Sequence, residues 1–353
     1  MNIIMRSYII VSLILAFSVV SCGNKERGFD SLFDNVCRVE LDEYEESLNA
    51  VMQSPSAFSV VDSCFVFVEP KLDNLLTIYD SRTKETVQLL HRGQGDKEAL
   101  DVQAIGRGKR DGEIYALDVL SKKIFVIDIE NKTISIDKNY FPKNDSLLVQ
   151  CIIYDDSVSI YETQGRERHF VIDNNESMEE FGRLDFSSEI DAVTMSNTAS
   201  GYCIGLNSKD RFVWASLFGC IYEIYDYSQI DDVKVIKSNV MRVPKMDLQR
   251  LLMSDANIGV VSLSAGEEYI YMLYSGKTFN MFSGFSDLEK LKASNTILVL
   301  DWNGTPIRKV ELDRDILYLA FDKDTERLYC LGINEEGEYR IYYIEDVVKY
   351  CCL

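Results

Sequence analysis

The chain has 353 residues, with 57 Asp and Glu against 37 Lys and Arg, a formal charge of −20 and 46% hydrophobic residues. That apolar fraction supports a large packed core and excludes a disordered or low-complexity chain. The acidic balance argues against nucleic acid or anionic lipid as a partner, since either would require a Lys/Arg field. The two histidines leave little room for histidine-ligated zinc or a histidine general base.

Residues 1–21 read as a signal peptide. Arg6 supplies a positive n-region, and the apolar stretch from Tyr8 to Val20 is interrupted only by Ser12 and Ser18. It is shorter than the ~20 apolar residues of a membrane span. It ends in Val19-Val20-Ser21-Cys22-Gly23, which resembles a bacterial lipobox. The resemblance implies cleavage before Cys22, diacylation of its thiol and anchoring by lipid; an ordinary signal peptide with a chance cysteine is the competing reading. Gly rather than Asp after Cys22 points to the outer membrane of a Gram-negative-type envelope. Residues 22–35 are expected to be the lipidated cysteine and a flexible tether, and 36–353 one domain.

Along that domain one unit recurs: a β-rich strand, an aliphatic or aromatic pair, an acid, then a polar turn. The acids are Asp80, Asp128, Glu162, Asp226, Asp301 and Glu345, about 53 residues apart on average. A short carboxylate placed there accepts backbone N–H bonds and opens the turn. Paired strands are expected at 64–68 with 75–79, 113–117 with 123–127, and 151–154 with 158–161. The series continues at 211–216 with 220–225, 269–274 with 296–300, and 327–331 with 339–344. Several are apolar on both faces, such as Ile124-Phe125-Val126-Ile127, as strands buried on both sides are. Helical patterns are short, at 41–52, 246–253 and 288–291. Six antiparallel hairpins of this period predict an all-β fold, a six-bladed β-propeller of four-stranded antiparallel blades with a short N-terminal helix or tether. A large sandwich places six equivalent hairpins poorly, and an α/β barrel needs eight helices.

Three stretches carry a family resemblance: Leu90-His91-Arg92-Gly93-Gln94-Gly95-Asp96-Lys97-Glu98, Ile270 to Lys277, and Ile297 to Gly304 continuing through Leu319-Ala320-Phe321-Asp322 to Arg327-Leu328-Tyr329. They resemble the TolB-like six-bladed propeller lipoproteins of Bacteroides-type bacteria, with Asp96-Lys97 replacing the family's usual Pro-Gly. The resemblance implies fold and location and is nearly silent about activity.

Several candidate sites follow from the residues. Arg92 and Gln94, with Arg107 in the basic run 106–110, form a glycine-rich basic island that could cradle an anion on backbone N–H groups. The same glycines could instead supply positive φ between blades. Tyr274, Phe279, Phe282 and Phe285 belong to an insertion suited either to a partner patch or to covering its own blade. Cys64, Cys151, Cys220 and Cys330 are expected as small buried hydrophobes. Cys37 is a candidate disulfide partner of Cys351 or Cys352, which lie near the opposite chain end. His91 and His169, both in Arg-flanked polar segments, are expected on the surface. Asp-Ser-aliphatic triplets at 30–32, 145–147 and 156–158 resemble O-glycosylation acceptors of such envelopes.

No catalytic residue is assigned and no cofactor is required. The leading expectation is a membrane-anchored, non-catalytic binding propeller for an envelope protein, peptide or glycan. The alternative is a calcium-dependent hydrolase or lyase with its site in the central channel.

Overall fold

The structure, a computed structural model, describes residues 28–44, 52–137, 147–154, 158–164, 167–173, 177–183, 201–243, 256–279 and 288–347. Four sheets of four antiparallel strands follow one another. The first is Ala57–Val61, Cys64–Val68, Asn74–Asp80 and Thr86–His91. The second is Ala104–Arg107, Glu113–Asp118, Lys123–Asp128 and Thr133–Asp137, and the third Leu147–Tyr154, Ser159–Gln164, Phe170–Asp173 and Met178–Phe181. The fourth is Gly201–Leu206, Arg211–Ser216, Cys220–Asp226 and Lys234–Arg242. The six expected hairpins are all present as paired strands.

Of the remaining strands, Ala256–Asn257 and Thr278–Phe279 form a two-stranded ladder and the other eight one sheet. Its longest member, Pro306–Asp322, pairs with Ser294–Asp301 mainly through 306–311 and with Arg327–Ile333 through 316–322. Val260–Ala265 and Tyr269–Tyr274 extend the sheet on one side; Tyr339–Ile344 and the N-terminal Asp42–Glu43 extend it on the other.

The apolar clusters show how the sheets meet. Val66 and Ile78 of the first sheet pack with Ile114 and Phe125 of the second. Leu117 and Ile124 pack with Tyr154 and Tyr161 of the third, and Phe170 with Phe212 and Trp214 of the fourth. Tyr222 and Ile224 then meet Met272 and Leu298. Finally Phe65 and Tyr79 of the first sheet meet Tyr329 and Ile341. The circuit is closed, so each middle strand is covered on both faces, which is why Cys64–Val68 is buried at every residue. This is an all-β propeller of four-stranded antiparallel blades.

The N-terminal segment is tied in along its length. Val36–Val39 runs parallel to 309–312, Lys309 N donates to Asn35 O at 2.8 Å, and Tyr44 N to Ile341 O at 2.8 Å. Residues 28–35, expected as part of a free tether, are instead docked: Phe29 is 1% exposed and Phe33 also buried, packed with Tyr222, Met272 and Tyr274. The helix expected over 41–52 is a strand at Asp42–Glu43, and its residues 45–51 lie outside the described residues. Leu288–Lys292 is helical as expected, and 246–253 is outside the described set. Among the described residues no helix is long and apolar enough to cross a membrane.

Four of the six recurring acids perform the turn role. Asp80 Oδ1 accepts from Arg82 N at 2.9 Å, Asp128 Oδ1 from Asn131 N at 2.8 Å, and Asp226 Oδ1 from Ser228 N at 3.0 Å. Asp301 Oδ1 takes both Asn303 N at 2.9 Å and Thr305 N at 2.8 Å. Glu162 does not. It lies on the second strand of its sheet, whereas the four turn acids each end a third strand. The equivalent third-strand acid is Asp173, so the sequence repeat slips by one strand in the third sheet.

Candidate functional site

The glycine-rich loop leaves Thr86–His91 and leads to the second sheet. Its hydrogen bonds run opposite to those of an anion cradle. Lys123 Nζ donates to the carbonyls of Gly95 at 2.7 Å, Asp96 at 3.3 Å and Glu98 at 3.1 Å. The Gly95 N–H is taken by the loop's own Glu98 Oε2 at 2.8 Å. Arg92 spends its guanidinium on Leu100 O at 2.9 Å and Pro70 O at 2.5 Å, while Gln94 and Arg107 stand exposed. The geometry favours a structural link between sheets. The glycines of this basic island are not at positive φ; Gly106, on Ala104–Arg107, faces a packed ring, while Gly93 meets only the terminal carboxylate of a side chain. A Cβ on Gly93 would lie 2.0 Å from Glu98 Oε2, and one on Gly106 2.5 Å from the Tyr115 ring.

Tyr274 belongs to the core and offers no open patch. Its hydroxyl lies 3.4 Å from Cys220 Sγ, its ring centroid 5.7 Å from that of Phe29, and its carbonyl accepts from Ser294 Oγ at 2.5 Å. The backbone of Phe279 pairs in the short ladder Ala256–Asn257 with Thr278–Phe279. Its side chain, with Phe282 and Phe285, lies outside the described residues.

His169, expected on the surface, is fully buried. Its Nε2 is 2.6 Å from Glu162 Oε1, which also accepts from Trp214 Nε1 at 3.1 Å. Gln150 Nε2 donates to Glu162 Oε2 and, across to the fourth sheet, to Gly201 O at 3.3 Å. The His169 and Trp214 rings meet edge to face at 5.5 Å. Beside them Tyr225 donates to Glu223, whose carboxyl burial pushes upward in pKa against the hydrogen bonds from Tyr225 and Ser238. A buried carboxyl with three donors is a polar joint between the third and fourth sheets, the kind of network that holds a core to one arrangement when all its members are satisfied. A usable signal lay in the sequence, because His169 leads directly into the apolar run Phe170-Val171-Ile172.

Cys64, Cys220 and Cys330 are buried free thiols, as expected, and burial pushes the Cys64 thiol up to about 11. Cys203 is also free. Cys37 is disulfide-bonded; Cys351 and Cys352, its candidate partners, lie outside the described residues, as does Cys22. Among the described residues no three His, Cys, Asp or Glu groups converge as a metal site.

Residues 40–324 match the family described as TolB-like 6-blade propeller-like. Among solved structures the chain is similar to a protein assigned as exported in Bacteroides fragilis, at 10% identity and a TM-score of 0.55, over 91% of this chain and 98% of that one. It is similar also to a member of the DUF4221 family from Bacteroides vulgatus, at 10% identity and 0.54, over 86% and 95%. A luciferin-regenerating enzyme aligns at 9% identity and 0.50, over 87% and 95%. Identities this low show a shared fold alone. No curated protein matches the chain.

Proposed function

The chain belongs to the TolB-like 6-blade propeller-like family, and from that premise we propose that it is a lipid-anchored envelope protein, placed at the outer membrane, whose six-bladed propeller binds a protein, peptide or glycan without catalysing a reaction. Two blades sharing the strand Pro306–Asp322 account for the eight-stranded sheet, and with the four separate sheets they make six. The lipobox-like Val19–Gly23 supports the anchor. The observation that carries the binding role is the unequal length of one class of connection. Between second and third strands the fourth sheet uses 217–219, whereas the strands Tyr269–Tyr274 and Ser294–Asp301 are separated by 275–293. A rigid scaffold with one enlarged, Phe-containing connection between strands is the usual arrangement for recognition. The test is crosslinking and affinity capture of the acylated protein from its native envelope, with wild type compared to a variant whose residues 280–287 are replaced by Gly and Ser. A partner captured by wild type and lost in the variant supports the reading; no loop-dependent partner counts against it.

A further inference from the structure

We infer that the propeller is held with one defined face against the bilayer, and that this is the face on which the inter-sheet links run. The inference rests on the lipid anchor proposed above. In an antiparallel four-stranded sheet successive strands alternate in direction. The second-to-third connections, 275–293 among them, and the sheet-to-sheet links therefore leave on one face, so the connection proposed above for recognition would meet its partner at the membrane surface. The first-to-second and third-to-fourth turns leave on the other.

The chain enters at the link face. Gly28 lies so close to the Tyr274 hydroxyl that a Cβ there would sit 2.2 Å from it, and the Phe29 ring packs 5.3 Å from Tyr222. Tyr274 ends its strand and Cys220 begins its own at that face. Ser31 N and Ser31 Oγ both donate to Gly28 O, at 3.0 and 2.8 Å, closing the docked turn. What remains between the acylated residue and the docked one is the stretch from Cys22 to Gly28. Six peptide units reach at most about 22 Å when fully extended, whereas a folded domain of this length is roughly 50 Å across. To put the turn face on the lipid the tether would have to pass around the outer strands and then along a strand's length, itself about 17–23 Å for five to seven residues, so six peptide units do not bring that face to the lipid.

The test uses the acylated mature chain on vesicles of phosphatidylethanolamine and phosphatidylglycerol carrying a headgroup energy acceptor. A donor dye is placed at K97C on the link face or T83C on the turn face. Transfer is expected to be greater from position 97, and F29S, which frees the docked segment, to narrow the difference while the domain still melts cooperatively. Equal transfer from the two positions, or greater transfer from position 83, overturns the orientation. Failure of the purified native protein to bind vesicles overturns the anchor instead. In that case coupling residue 22 to a maleimide lipid still measures the geometry, and the same two outcomes decide it.

Discussion

Glu162→Leu replaces a buried carboxyl with a side chain of similar size and leaves the donors of His169, Trp214 and Gln150 facing hydrocarbon. Each unsatisfied buried donor costs about 1–3 kcal/mol. Because the three share one acceptor, their costs are not additive, and about 3–6 kcal/mol is the expected total. Against a domain stability of about 5–15 kcal/mol this is a severe loss. Glu162→Gln keeps one acceptor oxygen for His169 and Trp214, and Gln150 can turn its amide to accept from the new NH₂, so a loss of about 1–2 kcal/mol is expected. Urea unfolding followed by circular dichroism and tryptophan emission reads both variants. Trp214 is an internal reporter, since its indole is one of the donors. A Glu162→Leu protein within about 1 kcal/mol of wild type would refute the reasoning, because buried donors would then have been left unpaired without penalty.

Lys123→Met removes the cation that three loop carbonyls share and should loosen 93–99, seen as faster proteolysis there with little change in overall fold. Asp128 is held below its ordinary value of 3.8 by the backbone and side-chain hydrogen bonds of Asn131, and Asp226 chiefly by the Ser228 hydroxyl. A depressed carboxyl contributes stability that is complete above its unfolded value and is lost as pH falls through the folded one. D128N/D226N should therefore flatten the acid limb of the stability curve below pH 3.8, and an unchanged limb would contradict this. Denaturing alkylation should leave Cys37 unlabelled until a reductant is added, as intact mass would show. Added calcium should leave the Tm unchanged; a clear rise would favour the hydrolase or lyase reading.

Local chemistry was legible in the sequence, and chemistry between distant segments was not. The acids at 80, 128, 226 and 301 were readable because their partners are the next two to four residues. The hairpins were readable because strands buried on both faces show as apolar runs. The burial of His169 is not legible locally, because its flanking Arg and Glu residues suggest solvent while its burial depends on Trp214 and Glu162. For Tyr274 the choice between a patch and the core is likewise not local: the ring that covers it, Phe29, comes from the far end of the chain. The slip of the repeat at Glu162 has a simple cause: strands Ser159–Gln164 and Phe170–Asp173 both carry an apolar pair followed by an acid, Ile160-Tyr161-Glu162 and Val171-Ile172-Asp173, and only pairing distinguishes them.

The claim that this is an envelope-anchored propeller is tested most directly by the mass of its N-terminal peptide, taken from protein purified out of native membranes. The account predicts a peptide that begins at Cys22 and carries a diacylglyceryl group. An unmodified peptide, or one beginning at another residue, would contradict it.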